Sequence, residues 1–108
     1  MAHVRLETRD ITDWPSFHDV CRSTFGFPDF YGRNMDAWID CLTYLRKGDG
    51  MSRFHLAPAE QLHIEVVNAT KFQKRVARIA EALEKCTAIV NERQVEMGQA
   101  PVLSLKYL

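Results

Sequence analysis

Two aspartates have the spacing that most directly suggests chemistry. Asp36 and Asp40 stand four positions apart, so a helix would place both carboxylates on one face, one turn apart. Like charges at this spacing cost a helix roughly 0.2–0.5 kcal/mol, and the helix dipole favours Asp36 while giving Asp40 little. Helix stability therefore does not explain the pair. Two interpretations stay open, a solvated helix face and an acid pair that binds or catalyses.

The histidines offer little support for catalysis. They are spread over several predicted segments, at His3, His18, His55 and His63. We expect each of them at the surface or half-buried, and not as a metal ligand or a base. The chain also has no glycine-rich phosphate loop, no nucleophile elbow and no HExxH pattern. We therefore predict no catalytic residue, no metal site, no cofactor and no enzyme activity.

The composition indicates the class of protein. The chain has 108 residues, of which 46% are hydrophobic and 26% charged, as in a soluble globular protein with one core. We expect a single domain over residues 1–108. The formal net charge is zero, which removes any bulk attraction to nucleic acid or to an anionic membrane. A basic run with helical spacing is expected to be a solvated helix face; it consists of Lys71, Lys74, Arg75 and Arg78.

The cysteines and the hydropathy pattern bear on the compartment. Cys21, Cys41 and Cys86 are an odd number without a CxxC pair, which indicates neither a disulfide framework nor a zinc site. We expect reduced thiols packed in the core. No apolar run approaches the roughly 20 residues needed to span a bilayer, and the N-terminal segment lacks the apolar stretch of a secretory signal. These features predict a cytoplasmic protein with no membrane partner.

The first half of the chain predicts a strand and two helices. Alternation of apolar and polar residues over 4–8 predicts the strand. Thr12 or Asp13 can cap a first helix, which Gly26 ends. The segment 27–33 reads as an aromatic loop, and exposed aromatic side chains in a loop need a functional reason.

A second helix is predicted to begin after Asn34, a good N-cap residue. Its buried side is predicted to consist of Met35, Trp38, Cys41, Leu42 and Leu45. Ile39 and Tyr44 are expected on the outward side with the two aspartates. A flexible turn over residues 47–50 is expected to end this helix.

The second half predicts strands separated by a long helix. Residues 54–56 and 62–67 alternate as in a hairpin-like pair. A capping-box spacing at 70–73 precedes apolar residues at helical spacing, which predicts one amphipathic helix to about Gly98. A last strand is predicted over 102–108. Strands joined through helices favour a mainly parallel sheet, covered by helices on at least one face.

Two segments of the chain resemble the barstar family. One is Phe17-His18-Asp19. The other runs from Phe27 to Leu42 and reads FPDFYGRNMDAWIDCL, similar to the family's loop and helix of proline, aromatic, Tyr-Gly-x-Asn, hydrophobic and Asp-Ala. The resemblance implies an α/β fold with a three-stranded, mainly parallel sheet, a possible extra edge strand and flanking helices.

The resemblance also implies a function through binding. Barstar-like proteins inhibit ribonucleases inside the cell, and their loop and following helix enter the enzyme's basic cleft. The positions that would contact the partner or shape the contact surface are Phe30, Tyr31, Gly32, Asn34, Asp36, Ile39 and Asp40. Of these, Gly32 and Asn34 would set the loop's shape, and Ile39 would occupy a rim position while Trp38 turns inward. The partner would be a ribonuclease or a related toxin; the alternative is a barstar-like module for a non-nuclease intracellular partner.

Overall fold

The structure, a computed structural model, describes residues 2–48 and 51–108. Three strands and four helices alternate along the chain. In order they are β1 (Ala2–Leu6), α1 (Trp14–Phe25), α2 (Met35–Thr43), β2 (Leu62–Val66), α3 (Ala69–Arg75), α4 (Ala77–Glu96) and β3 (Leu103–Tyr107). No helix within the described ranges is long and apolar enough to cross a membrane.

The three strands form one parallel sheet in the order β1-β2-β3. Val4 pairs with Ile64, which pairs in turn with Leu105, so the apolar positions of the three strands lie in register on one face. This α/β architecture with three parallel strands is the one predicted.

The two faces of the sheet differ in burial. The face covered by the helices carries Val4, Leu6, Leu62, Ile64 and Val66, all buried in the core. The other face carries polar or charged side chains that stay at least partly exposed: His3, Arg5, His63, Glu65, Ser104 and Lys106. Helices therefore cover one face of the sheet only. The helix α2, which carries the candidate site described below, lies on that side.

The predicted hairpin is wrong. Only its second half, Leu62–Val66, is a strand, and that strand already has a parallel neighbour on each side. No edge of β2 is left for residues 54–56 to pair with. Leu56 is nevertheless buried in the core, and its backbone N–H donates to the carbonyl of Leu45 at 2.9 Å. No extra edge strand occurs among the residues that the structure describes.

The single long helix is wrong as well. The backbone leaves the helical region at Val76 (φ −132°, ψ 60°), which separates α3 from α4. The predicted capping box is also absent, because α3 begins at Ala69 behind Asn68, whose side chain makes no cap hydrogen bond. Near the break, the Arg75 guanidinium donates to the carbonyls of Thr8 and Ile11, which ties the end of α3 to the β1–α1 connection.

Other predictions are confirmed. Cys21, Cys41 and Cys86 are buried, Trp38 is fully buried, and β3 lies within the predicted last strand. The predicted turn over 47–50 includes positions 49 and 50, which lie outside the described residues.

Candidate functional site

The site begins where α1 ends. Asp13 caps the helix in a reciprocal capping box with Ser16, and Gly26 ends it in the left-handed conformation (φ 66°). A Cβ atom at Gly26 would lie 2.7 Å from the Cβ of Arg53, so both the backbone angle and the close approach require glycine here. This turn directs the chain into the segment 27–34, which we call the aromatic loop.

The inner side of the aromatic loop is a stack of rings. Phe27 stacks on Phe25 with ring centroids 5.4 Å apart, and Tyr31 packs on Phe27 at 4.6 Å. Only 6% of Tyr31 is exposed, and its hydroxyl lies 2.6 Å from Nδ1 of His18. The expectation that His18 lies at the surface or half-buried is therefore wrong; Trp14 and Tyr31 cover it. Tyr31 was expected to be a contact residue, but in the free protein its side chain faces inward.

The protonation of this buried pair follows from its surroundings. Burial, followed by the positive charge of Arg33, lowers the pKa of His18, while the carboxylate of Asp19 partly opposes the shift. Burial raises the pKa of the Tyr31 phenol. A protonated phenol can thus donate to Nδ1 of a neutral imidazole. A proton on Nδ1 would remove that acceptor, so the contact favours the neutral ring.

The outer side of the aromatic loop is held by ion pairs. Arg22 pairs with Asp29, and Arg33 pairs with Asp19 while also donating to the carbonyl of Pro15 at 3.1 Å. Arg33 has a positive φ of 54°, a costly conformation for a residue with a side chain. The contacts of its side chain with Asp19 and with the carbonyl of Pro15, both on α1, hold that conformation. The loop therefore depends on side-chain contacts at several points.

One large aromatic side chain of the loop lies in solvent, and exposed aromatic side chains were expected in this segment. Phe30 is 75% exposed. A shallow hollow of about 280 Å³ lies between α1 and the start of α2, lined by Trp14, His18, Arg33, Asn34 and Met35. An exposed aromatic ring in a loop is suited to contact with another molecule.

Gly32 and Asn34 shape the junction with α2. Oδ1 of Asn34 accepts from the backbone N–H of Ala37 at 2.8 Å, and its Nδ2 donates to the carbonyl of Gly32 at 3.2 Å. This confirms Asn34 as the N-cap. A Cβ at Gly32 would lie 3.3 Å from that Nδ2 and 3.4 Å from the Cβ of Ala37, so close packing disfavours a side chain at Gly32. The left-handed position in the junction is Arg33, one residue later.

The two aspartates lie on the exposed side of α2, as predicted. Met35 is half-buried, and the remaining predicted inward residues Trp38, Cys41, Leu42 and Leu45 are buried. Ile39 is only 5% exposed, so its predicted position on the outward rim is wrong. Because α2 packs along α4, the flank of α2 that carries Ile39 and Thr43 is covered. The two aspartates are therefore carried by a helix whose apolar side chains are packed in the core.

The two carboxylates differ in their neighbours. Oδ1 of Asp40 accepts from the Arg93 guanidinium at 2.8 Å, and both side chains stay accessible, with 58% and 43% exposure. Within residues 2–48 and 51–108, no ion pair involves Asp36. The sequence alone does not reveal Arg93 as the partner of Asp40, because the contact joins residues 53 positions apart and depends on how α4 packs on α2.

Asp36 lies close enough to Cys86 on α4 to act on it. Burial raises the pKa of the Cys86 thiol, and the negative charge of Asp36 adds to that shift. Cys86 and Arg93 are seven residues apart on α4, two turns along the same side of the helix. The pair Asp36 and Asp40 thus runs alongside α4.

The site has the features of a binding surface. It combines an exposed ring, two accessible carboxylates and a capped helix. Across the described ranges, no cluster of three or more His, Cys, Asp or Glu side chains could hold a metal ion. The buried pair of His18 and Tyr31 shapes the loop from beneath.

Comparison with known proteins gives two findings. The model of the family described as "Barstar (barnase inhibitor)" matches residues 1–105. The chain is also similar to a curated protein of Bacillus subtilis (strain 168) named "Putative ribonuclease inhibitor YrdF", with 42% identity over 43 residues. That match covers 40% of this chain and 47% of the relative, so the chain aligns with about half the length of the relative.

Proposed function

The chain belongs to the barstar family, and on this basis we propose that it is an intracellular inhibitor, an immunity protein, that blocks the active site of a ribonuclease or related toxin. The acting unit is the whole chain, folded as one domain. The inhibitor presents the acidic and aromatic side chains of the aromatic loop and α2 to the enzyme. The name of the Bacillus subtilis relative, a ribonuclease inhibitor, supports this function.

The observation that carries the proposal is the exposure of Asp36 and Asp40 on one face of α2, together with the exposure of Phe30 in the loop that leads into this helix. A ribonuclease cleft holds Arg, Lys and His side chains that bind phosphate. Carboxylates fixed on a helix can occupy the phosphate positions through charge-assisted hydrogen bonds while offering no bond to cleave. An aromatic anchor next to them excludes water from these contacts and strengthens them.

The other predicted site residues support this surface. Tyr31 and Ile39 are buried, so we assign them to holding the loop and the helix from beneath. Gly32 and Asn34 fix the start of α2 and so the direction of Asp36. Preorganisation of this kind lowers the entropy lost on binding.

The test is inhibition of barnase, the enzyme named in the family description. We expect the purified chain to suppress RNA cleavage by barnase in a titration. Asp36→Asn and Asp40→Asn should each weaken binding by about tenfold or more, equivalent to about 1.4 kcal/mol. Glu65→Gln is the matched control, because Glu65 lies on the sheet face away from the helices.

Two results would count against the proposal. One is a wild-type chain that leaves barnase fully active, which would favour a non-nuclease partner for this fold. The other is inhibition that survives both aspartate substitutions. Thermal unfolding of each variant shows that a loss of inhibition does not come from a loss of the fold.

A further inference from the structure

Helix α4 contributes to the same surface as α2. The Arg93 guanidinium on α4 contacts the Asp40 carboxylate on α2. Cys86, two turns earlier on α4, is buried, and the charge of Asp36 acts on its thiol. The two helices pack side by side over this stretch. A molecule that approaches the two aspartates therefore also meets the near flank of α4.

The near flank of α4 carries an apolar side chain as well as a cation. Ile89 precedes Arg93 by four residues, so the two lie one turn apart on the same side of the helix. Ile89 is 39% exposed, and it lies outside the buried face of α4. Along α4 it lies between Cys86 and Arg93, whose guanidinium contacts Asp40.

We propose that Ile89 and Arg93 form a second half of the partner-binding surface, and that the partner presents an acidic side chain to Arg93 next to the cations that meet Asp36. This inference rests on the proposed function and specifies the partner further. The partner's cleft is of mixed charge at this point. Arg93 thereby determines which basic-cleft enzymes the chain accepts.

The physical reason lies in what happens to Arg93 on binding. An entirely cationic cleft would bring like charges against the guanidinium and would compete with it for Asp40, a combination that is unfavourable in a desolvated interface. A guanidinium has five N–H donors in a planar fork. One nitrogen serves Asp40, and the remaining donors can bind a carboxylate of the partner. Complementarity therefore calls for an acid in the partner opposite Arg93.

The experiment measures the affinity of the chain for barnase with Arg93→Met, Arg93→Lys and Ile89→Ala. We expect Arg93→Met to weaken binding by about tenfold, since a charged pair in the interface is lost. Arg93→Lys should retain part of the affinity, because the charge remains while the planar fork is lost. Ile89→Ala should weaken binding by a few-fold. Lys106→Met is the control, since Lys106 is a cation on the outer face of the sheet.

A double-mutant cycle identifies the acid. Each Asp or Glu in the RNA-binding cleft of barnase is replaced by Ala in turn and tested against wild type and Arg93→Met. For one of these positions we expect the effect of Arg93→Met to disappear, the sign of a direct pair. An unchanged affinity of Arg93→Met, or a gain in affinity, would overturn the inference, because Arg93 would then be a bystander or a mask over Asp40.

The outcomes separate this inference from the proposed function. If Asp36→Asn weakens binding and Arg93→Met does not, the inhibitor function stands and the mixed-charge partner is wrong. If the wild-type chain does not bind barnase, both are overturned.

Discussion

The two ends of α2 are held in place by different kinds of contact. At the N-terminal end, the aromatic loop depends on exposed ion pairs and on one buried hydrogen bond between Tyr31 and His18. Beyond the C-terminal end, the Arg46 guanidinium donates to the backbone carbonyls of Glu60, Ala100 and Pro101. We call this second region the Arg46 clasp.

The difference has a functional meaning. Exposed ion pairs contribute little to stability and can rearrange, whereas hydrogen bonds from a charged group to backbone carbonyls are stronger. Arg46 is half-buried, and this burial lowers the pKa of its guanidinium. Gln94 reinforces this end by donating to the carbonyl of Thr43. The ion pairs on the outer side of the aromatic loop can therefore adjust when a partner binds, while the Asn34 cap keeps the start of α2 fixed and the Arg46 clasp anchors its other end.

The largest effect is expected at the Arg46 clasp. Arg46→Met removes the donors to three carbonyls, so the free energy of unfolding should fall by about 2–3 kcal/mol. Lys47→Met is the control, because the exposed Lys47 ammonium lies over the ring of Tyr44, a contact that should contribute about 0.5 kcal/mol. Urea unfolding at neutral pH measures both. Equal shifts of the two variants would show that the clasp does not anchor α2.

A smaller effect is expected in the aromatic loop. Tyr31→Phe keeps the ring on Phe27 but leaves Nδ1 of the buried His18 without its donor, at a cost of about 1–2 kcal/mol. Tyr44→Phe, at the half-buried end of α2, is the matched control. A Tyr31→Phe variant as stable as wild type would mean that the hydrogen bond does not hold the loop.

The same pair predicts how stability depends on pH. Because burial in the folded state lowers the pKa of His18 below its ordinary value of 6.5, the folded state binds fewer protons than the unfolded state just below pH 6.5. The contribution of His18 is therefore complete above pH 6.5 and is lost as the pH falls through the lowered pKa. Unfolding free energies at pH 7.5 and 5.5 should differ more in wild type than in His18→Asn. An equal difference in both proteins would contradict this prediction.

The smallest effect is expected for an exposed ion pair. Asp19→Asn removes the partner of Arg33, and the free energy of unfolding should change by only about 0.5 kcal/mol. The local backbone should become more mobile even though the global stability changes little, because the contact with Asp19 helps to hold Arg33 in its left-handed conformation. Amide hydrogen exchange is expected to accelerate at Tyr31 and Ala37, whose backbone N–H groups are hydrogen-bonded on either side of this turn. Unchanged exchange would show that the carbonyl of Pro15 alone holds Arg33.

The sequence predicted local structure better than tertiary contacts. A cap at Thr12 or Asp13, the cap at Asn34 and the inward position of Trp38 follow from rules that act within one turn or one helix face. All three are confirmed, with Asp13 as the first cap. The predicted hairpin is wrong because alternation along a segment does not show which strands will pair. Both edges of β2 pair with strands distant in the sequence, β1 and β3.

The candidate site shows the same division. The exposed positions of Asp36 and Asp40 could be inferred from their spacing on a helix. The burial of Ile39 and the contact of Arg93 with Asp40 could not, because both depend on the flank along which α4 packs. His18 was misplaced because its cover is a tyrosine 13 positions away in a loop of irregular backbone.

The interruption at Val76 has a consequence for the dimensions of the molecule. A straight helix from Ala69 to Glu96 would be about 42 Å long at 1.5 Å per residue, whereas the longest axis of the protein is 36 Å. Such a rod would protrude from the body and expose its apolar stripe at one end. By dividing the rod, the chain keeps a 20-residue piece of about 30 Å that fits alongside α2.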